Sequence, residues 1–105
     1  EWIFIYHDNP QVTPPVQCRT DIGVTVPVGT QGTGEVETQL IPAGRYAQSR
    51  YLITDRNQYG PRWQEHIGDI VSAGLAFGDG PCFELYHSMS NDPLQDDVSF
   101  CSSVR

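Results

Sequence analysis

The chain is 105 residues long with a net charge of -7, and its six basic residues, all Arg, face thirteen acids. That length makes one domain able to bury roughly 65% of its unfolded surface. The acidic balance argues against nucleic acid as a direct partner, because phosphate binding needs a basic footprint. Such a field attracts cations and repels anionic metabolites.

In chain order, Trp2-Ile3-Phe4-Ile5-Tyr6-His7 is β-rich and predicts a strand. Asp8-Asn9-Pro10 ends it, and a Pro-containing loop follows through Pro14 and Pro15. Arg19 to Val26 predicts a second strand, with Ile22, Val24 and Val26 on one face. Gly29, Gly32 and Gly34 mark a flexible connection, Glu37 to Ile41 a short strand, and Pro42-Ala43-Gly44 a break. Arg45 to Ile53 continues as a strand.

Pro61 suits a first helical turn, and Trp63, Ile67, Ile70, Val71 and Gly74 form one stripe of an amphipathic helix. Arg62, Glu65, His66 and Asp69 lie mostly off that stripe, and Gly78 and Gly80 are expected to close the helix. Cys82 to His87 is the next strand, Asn91-Asp92-Pro93 a turn, and Val98 to Val104 the last strand. The order predicts an α+β fold: a mostly antiparallel sheet with one main helix.

The strand from Cys82 carries the most informative residue, Glu84. Alternation places Cys82, Glu84 and Tyr86 on one face, and Phe83, Leu85 and His87 on the other. A carboxylate among apolar residues either points to water or sits in a pocket that wants a positive partner. Trp2, Phe4 and Tyr6 share one face of the first strand and, with Tyr46, Trp63 and Tyr86, are the aromatic candidates for holding a cation. Each also has a plainer reading. Trp63 serves as core and Trp2-Phe4-Tyr6 as core or interface. Tyr59-Gly60-Pro61 serves as helix-start geometry, Asp96-Asp97 as a solvated turn and Cys82 as a small buried hydrophobe.

Three cysteines (Cys18, Cys82, Cys101) without CxxC spacing fit a reduced, cytoplasmic chain. His7, His66 and His87 are too far apart for a metal motif, so neither metal nor cofactor is predicted. No apolar run reaches the ~20 residues of a membrane span, and no signal-peptide pattern opens the chain. The chain starts inside a strand without Met, which predicts that an N-terminal part has been lost.

Several short motifs occur in a specific order. They are Ile5-Tyr6-His7-Asp8-Asn9-Pro10, Arg19-Thr20-Asp21-Ile22-Gly23-Val24, Ile41-Pro42-Ala43-Gly44-Arg45-Tyr46-Ala47 and Tyr59-Gly60-Pro61. The last runs from Asp79-Gly80-Pro81-Cys82-Phe83-Glu84-Leu85-Tyr86 to Asn91-Asp92-Pro93. Together they resemble the GyrI-like small-molecule-binding domain, also the effector-binding domain of AraC-type and MerR-type multidrug regulators. The resemblance implies two strand-helix-strand-strand (SHS2) modules packed as a pseudo-dimer. Residues 37–105 would be a complete second module and residues 1–36 the remnant of a first module lacking its opening strand and helix. A homodimer would cover the surface this leaves.

The resemblance also implies that Glu84 lies on the floor of a pocket for lipophilic, often cationic aromatic molecules. Tyr86, Phe4, Tyr6, Trp2, Tyr46 and Trp63 would line that pocket. The chain would then be a stand-alone drug-binding protein or the sensing domain of a regulator. Two alternatives stand beside this. Some GyrI-like proteins hydrolyse cyclopropane-type genotoxins, in which case Glu84 would be a catalytic general base. The founding member's name implies a gyrase-inhibiting protein-interaction module.

Overall fold

The computed structural model describes residues 1–8 and 13–105. The turn expected at Asn9-Pro10 lies outside the described residues. Five strands form one antiparallel sheet: β1 (Trp2–Tyr6), β2 (Thr20–Val24), β3 (Arg45–Ile53), β4 (Phe77–Asn91) and β5 (Leu94–Val104). Their order across the sheet is β2-β1-β4-β5-β3. One helix, α1 (Tyr59–Ser72), joins β3 to β4. The α+β class with a single main helix is therefore observed, and β3-α1-β4-β5 follows the strand-helix-strand-strand order.

Local chemistry explains the boundaries. Residues 37–41 form no strand; Gly29 and Gly34 take positive φ, and this Pro- and Gly-bearing segment connects β2 to β3 as coil. Before α1, Asp55 accepts from the Asn57 N–H at 2.8 Å while the Gln58 side chain accepts from the Asp55 N–H, a capping box. Gly74, not Gly78 or Gly80, ends the helix. Its φ of 75° belongs to the left-handed region, and the Gly74 and Leu75 N–H groups reach back to the carbonyls of Val71 and Ile70. That is a Schellman closure, which needs a residue without Cβ strain. Gly78 and Gly80 lie in β4 instead, close against Ser103.

The helix stripe is rotated from the sequence expectation. His66 is fully buried, whereas Val71 is 61% exposed. At about 100° per residue, His66 and Ile70 fall on the same side of Trp63 as Tyr59, and Val71 turns outward.

The strand registers decide what meets α1. Phe4 stands opposite both Ile22 and Glu84, Glu84 opposite Phe100, and Phe100 opposite Ser49. One face thus carries Phe4, Tyr6, Glu84, Tyr86, Val98 and Phe100. The core gathers there: Ile53, Tyr86, Val98 and Phe100, packed by Phe4, Tyr51, Tyr59 and Trp63. Helix α1 lies over the β4-β5-β3 half of this face, with Trp63 stacked on Phe100 at 4.5 Å and 7° and His66 bonded to Ser49 and Ser102. Among the described residues nothing covers the β2-β1 half, and Trp2, Ile22 and Val24 are more than half exposed. Glu84 therefore sits at the border between the covered and the open half.

Candidate functional site

Glu84 is 3% exposed and keeps both oxygens occupied. The Trp63 indole N–H donates to one at 2.5 Å, and the Tyr86 hydroxyl donates to the other at 2.7 Å. A carboxylate this deep in an apolar setting needs such donors, because an unpaired buried charge costs several kcal/mol. Strand alternation brings Tyr86 to the same face as Glu84, and the first turns of α1 bring Trp63 down onto it.

Three phenols surround the carboxylate. Burial, then the negative charge and hydrogen bonding of Glu84, hold the Tyr6 hydroxyl far above its ordinary range. Burial, then the neighbouring Tyr59 hydroxyl and Glu84, do the same for Tyr86. Burial, then the bond to Asp96, raise Tyr59. All three stay neutral at physiological pH and keep their hydroxyl protons. The Tyr59 hydroxyl donates to Asp96 at 2.5 Å. Asp96 is itself only 6% exposed, so it belongs to the buried face of β5 and not to a solvated turn.

Of the residues singled out in the sequence, Glu84, Tyr86, Trp63, Phe4 and Tyr6 come together. The Phe4 ring lies 5.1 Å from Tyr86, and the Tyr6 ring is edge-on to Trp63 at 6.2 Å. Trp2 stands on the same face, opposite Tyr86 and Val24, at the open margin. Tyr46 is apart from them. It lies on the other face, its ring 5.5 Å from Phe83 and its hydroxyl donating to the Pro42 carbonyl at 2.7 Å. His87 also faces away, held by Glu1 at 2.6 Å and Ser99 at 2.7 Å. Tyr59 and Asp96 were missed as site residues. The available signal was parity: Asp96, Val98 and Phe100 alternate onto one face of β5.

A second buried polar group lies beside the first. His66 bonds Ser49 through Nδ1 at 2.7 Å and Ser102 through Nε2 at 2.9 Å, and the Cys82 thiol donates to Ser102 at 3.5 Å. Burial holds the His66 imidazole below its ordinary 6.5, against a smaller opposing effect of Asp69. The unfolded chain therefore takes up this proton first. The stability held by neutral His66 is complete above about pH 6.5 and is lost as pH falls below it. Chemical denaturation between pH 7.5 and pH 5 checks this: wild type loses stability on acidification and His66→Gln loses less. Equal losses would overturn it.

Among the described residues, open hollows lie elsewhere. One of about 400 Å³ sits by Asp55, Gln58, Arg62 and Glu65, outside the start of α1. Another of about 220 Å³ sits by Ile5, His7, Leu40 and Pro42 on the opposite face of the sheet. Among the described residues no helix is long and apolar enough to cross a membrane.

A family model, the GyrI-like small molecule binding domain, matches residues 1–99. The chain belongs to this family. It is 29% identical, over 99% of its length and 69% of the relative's, to a DNA gyrase inhibitor of Yersinia enterocolitica. It is 32% identical to DNA gyrase inhibitor 1 of Dickeya dadantii, over 82% of this chain and 58% of the relative. A DNA gyrase inhibitor of Salmonella typhimurium is 34% identical over 82% of this chain and 57% of the relative. The chain thus spans between somewhat over half and about two thirds of the length of these relatives. The family's description is that of a small-molecule-binding domain.

Proposed function

We propose that this GyrI-like domain captures lipophilic aromatic cations, with Glu84 as counter-charge and Trp63, Tyr86, Tyr6 and Phe4 as aromatic walls. The observation that carries this reading is the buried Glu84 carboxylate, held between an indole and a phenol at the edge of an uncovered apolar strip. A cation arriving from the β2-β1 side replaces one of the two donors on Glu84 and gains aromatic faces worth ~0.5–2 kcal/mol each. Trp2, Ile22 and Val24 offer the apolar bed that supplies most of the affinity. Because both Glu84 oxygens already accept from fixed donors, the arrangement favours holding a charge over taking a proton from water, and binding ranks above hydrolysis. The domain would act alone or as the sensing part of a regulator.

The test is calorimetric titration with N-methyl-phenylpyridinium, a two-ring monocation, beside neutral methylbiphenyl of the same shape. A micromolar dissociation constant for the cation, worth about -8 kcal/mol, with markedly weaker binding of the neutral compound is the expected result. Equal affinities, or no binding of the cation, overturn the proposal.

The names of the relatives support a second reading, a gyrase-inhibiting interaction made by the acidic surface. A supercoiling assay separates the two, because Glu84→Gln leaves a surface interaction intact while it weakens cation capture.

A further inference from the structure

Asp96 leaves a carboxylate oxygen without a partner in the interior. Its Oδ2 accepts from Tyr59, but its Oδ1 is buried and has no hydrogen bond among the described residues. Neighbouring hydroxyls do not repair this. Each phenol carries one proton, and both nearby ones are committed: that of Tyr86 to Glu84 and that of Tyr59 to the other oxygen of Asp96. An orphaned buried acceptor is costly and calls for an explanation.

Asp96 and Glu84 are also ends of one array. Tyr86 bonds Glu84 and Tyr59 bonds Asp96, so the four residues follow one another on the helix-covered face. Glu84 stands opposite Phe100, and Asp96 lies four residues before Phe100 on β5, so the two backbones are about 13 Å apart along the strand and the side chains between them shorten that span. Along β4 the same path runs past Phe4 and Trp2, which oppose Glu84 and Tyr86, towards Met89, which opposes Asp96 and is half exposed. The array thus parallels the margin of the open strip.

We infer that Asp96 is a second anionic anchor of the Glu84 site, and that the domain selects elongated aromatic dications whose second cationic group satisfies Asp96 Oδ1. This rests on the cation-binding reading above and adds to it a charge count and a length. Against a monocation of the same shape, the second pairing replaces an unpaired acceptor with a charge-assisted contact in a water-poor setting. Such contacts carry a tenfold or greater effect.

The experiment compares N,N′-dimethyl-bipyridinium, a two-ring dication, with N-methyl-phenylpyridinium by calorimetry on the wild-type protein, Asp96→Asn and Tyr59→Phe. In wild type the dication is expected to bind at least about tenfold tighter. Asp96→Asn, with its fold checked by circular dichroism, abolishes that preference and leaves monocation affinity within about twofold. Tyr59→Phe, which keeps the carboxylate, retains the preference. Equal binding of the two probes in wild type overturns the inference whether or not the variants fold, as does a preference that survives Asp96→Asn. Monocation binding without a dication preference leaves the cation site standing and removes only the second anchor. Binding of neither probe removes both.

Discussion

Glu84→Gln is expected to weaken binding of N-methyl-phenylpyridinium by about tenfold to a hundredfold while leaving neutral methylbiphenyl within about twofold. The substitution keeps shape and one acceptor oxygen and removes only the charge. The Trp63 N–H can still donate to the amide oxygen, and the Tyr86 hydroxyl can turn to accept from the amide nitrogen. Stability should consequently fall by no more than about 1–2 kcal/mol. Calorimetric titration and urea denaturation of the same preparations separate the two effects. An equal loss for charged and neutral probes would mean that Glu84 shapes the site without supplying charge selectivity.

Trp63 couples the site to the core, and two substitutions separate its roles. Trp63→Ala removes a ring stacked on Phe100 and edge-packed by Tyr6 and His66, and it opens a void under the helix. Its expected cost is about 3–5 kcal/mol, a large share of the 5–15 kcal/mol that holds a typical domain together. Trp63→Phe keeps most of the stack and strips one donor from Glu84, leaving a buried carboxylate oxygen unpaired at about 1–3 kcal/mol. Urea denaturation followed by circular dichroism should rank wild type above Trp63→Phe and both above Trp63→Ala. A Trp63→Phe protein as stable as wild type would show that the indole N–H is dispensable to Glu84. One as unstable as Trp63→Ala would mean that the hydrogen bond outweighs the stack.

Much of this arrangement is legible in the residues. The parity of Cys82, Glu84 and Tyr86 on one strand face follows from alternation alone, and so does the opposite orientation of His87. The α+β class, the helix with Pro61 in its first turn and the pairing of aromatic residues with Glu84 are readable from pattern and motif. Less legible were the helix stripe, where a polar His66 turned inward and an apolar Val71 outward, and the coil at residues 37–41. In both places local propensity disagreed with what the rest of the molecule required.

What the sequence determined by itself is what depends on near neighbours: strand faces, the turn at Asn91-Asp92-Pro93, the acidic charge and a carboxylate among apolar residues. Only the tertiary structure decided which of these groups meet. The order β2-β1-β4-β5-β3 sets Phe4 and Phe100 on either side of Glu84, and α1 sets Trp63 on Phe100 and Tyr59 on Asp96. It also sends Tyr46 to the other face, against Phe83. The reason is physical: whether a polar side chain such as Asp96 or His66 is buried depends on donors and acceptors brought from distant strands, and no local pattern encodes their arrival.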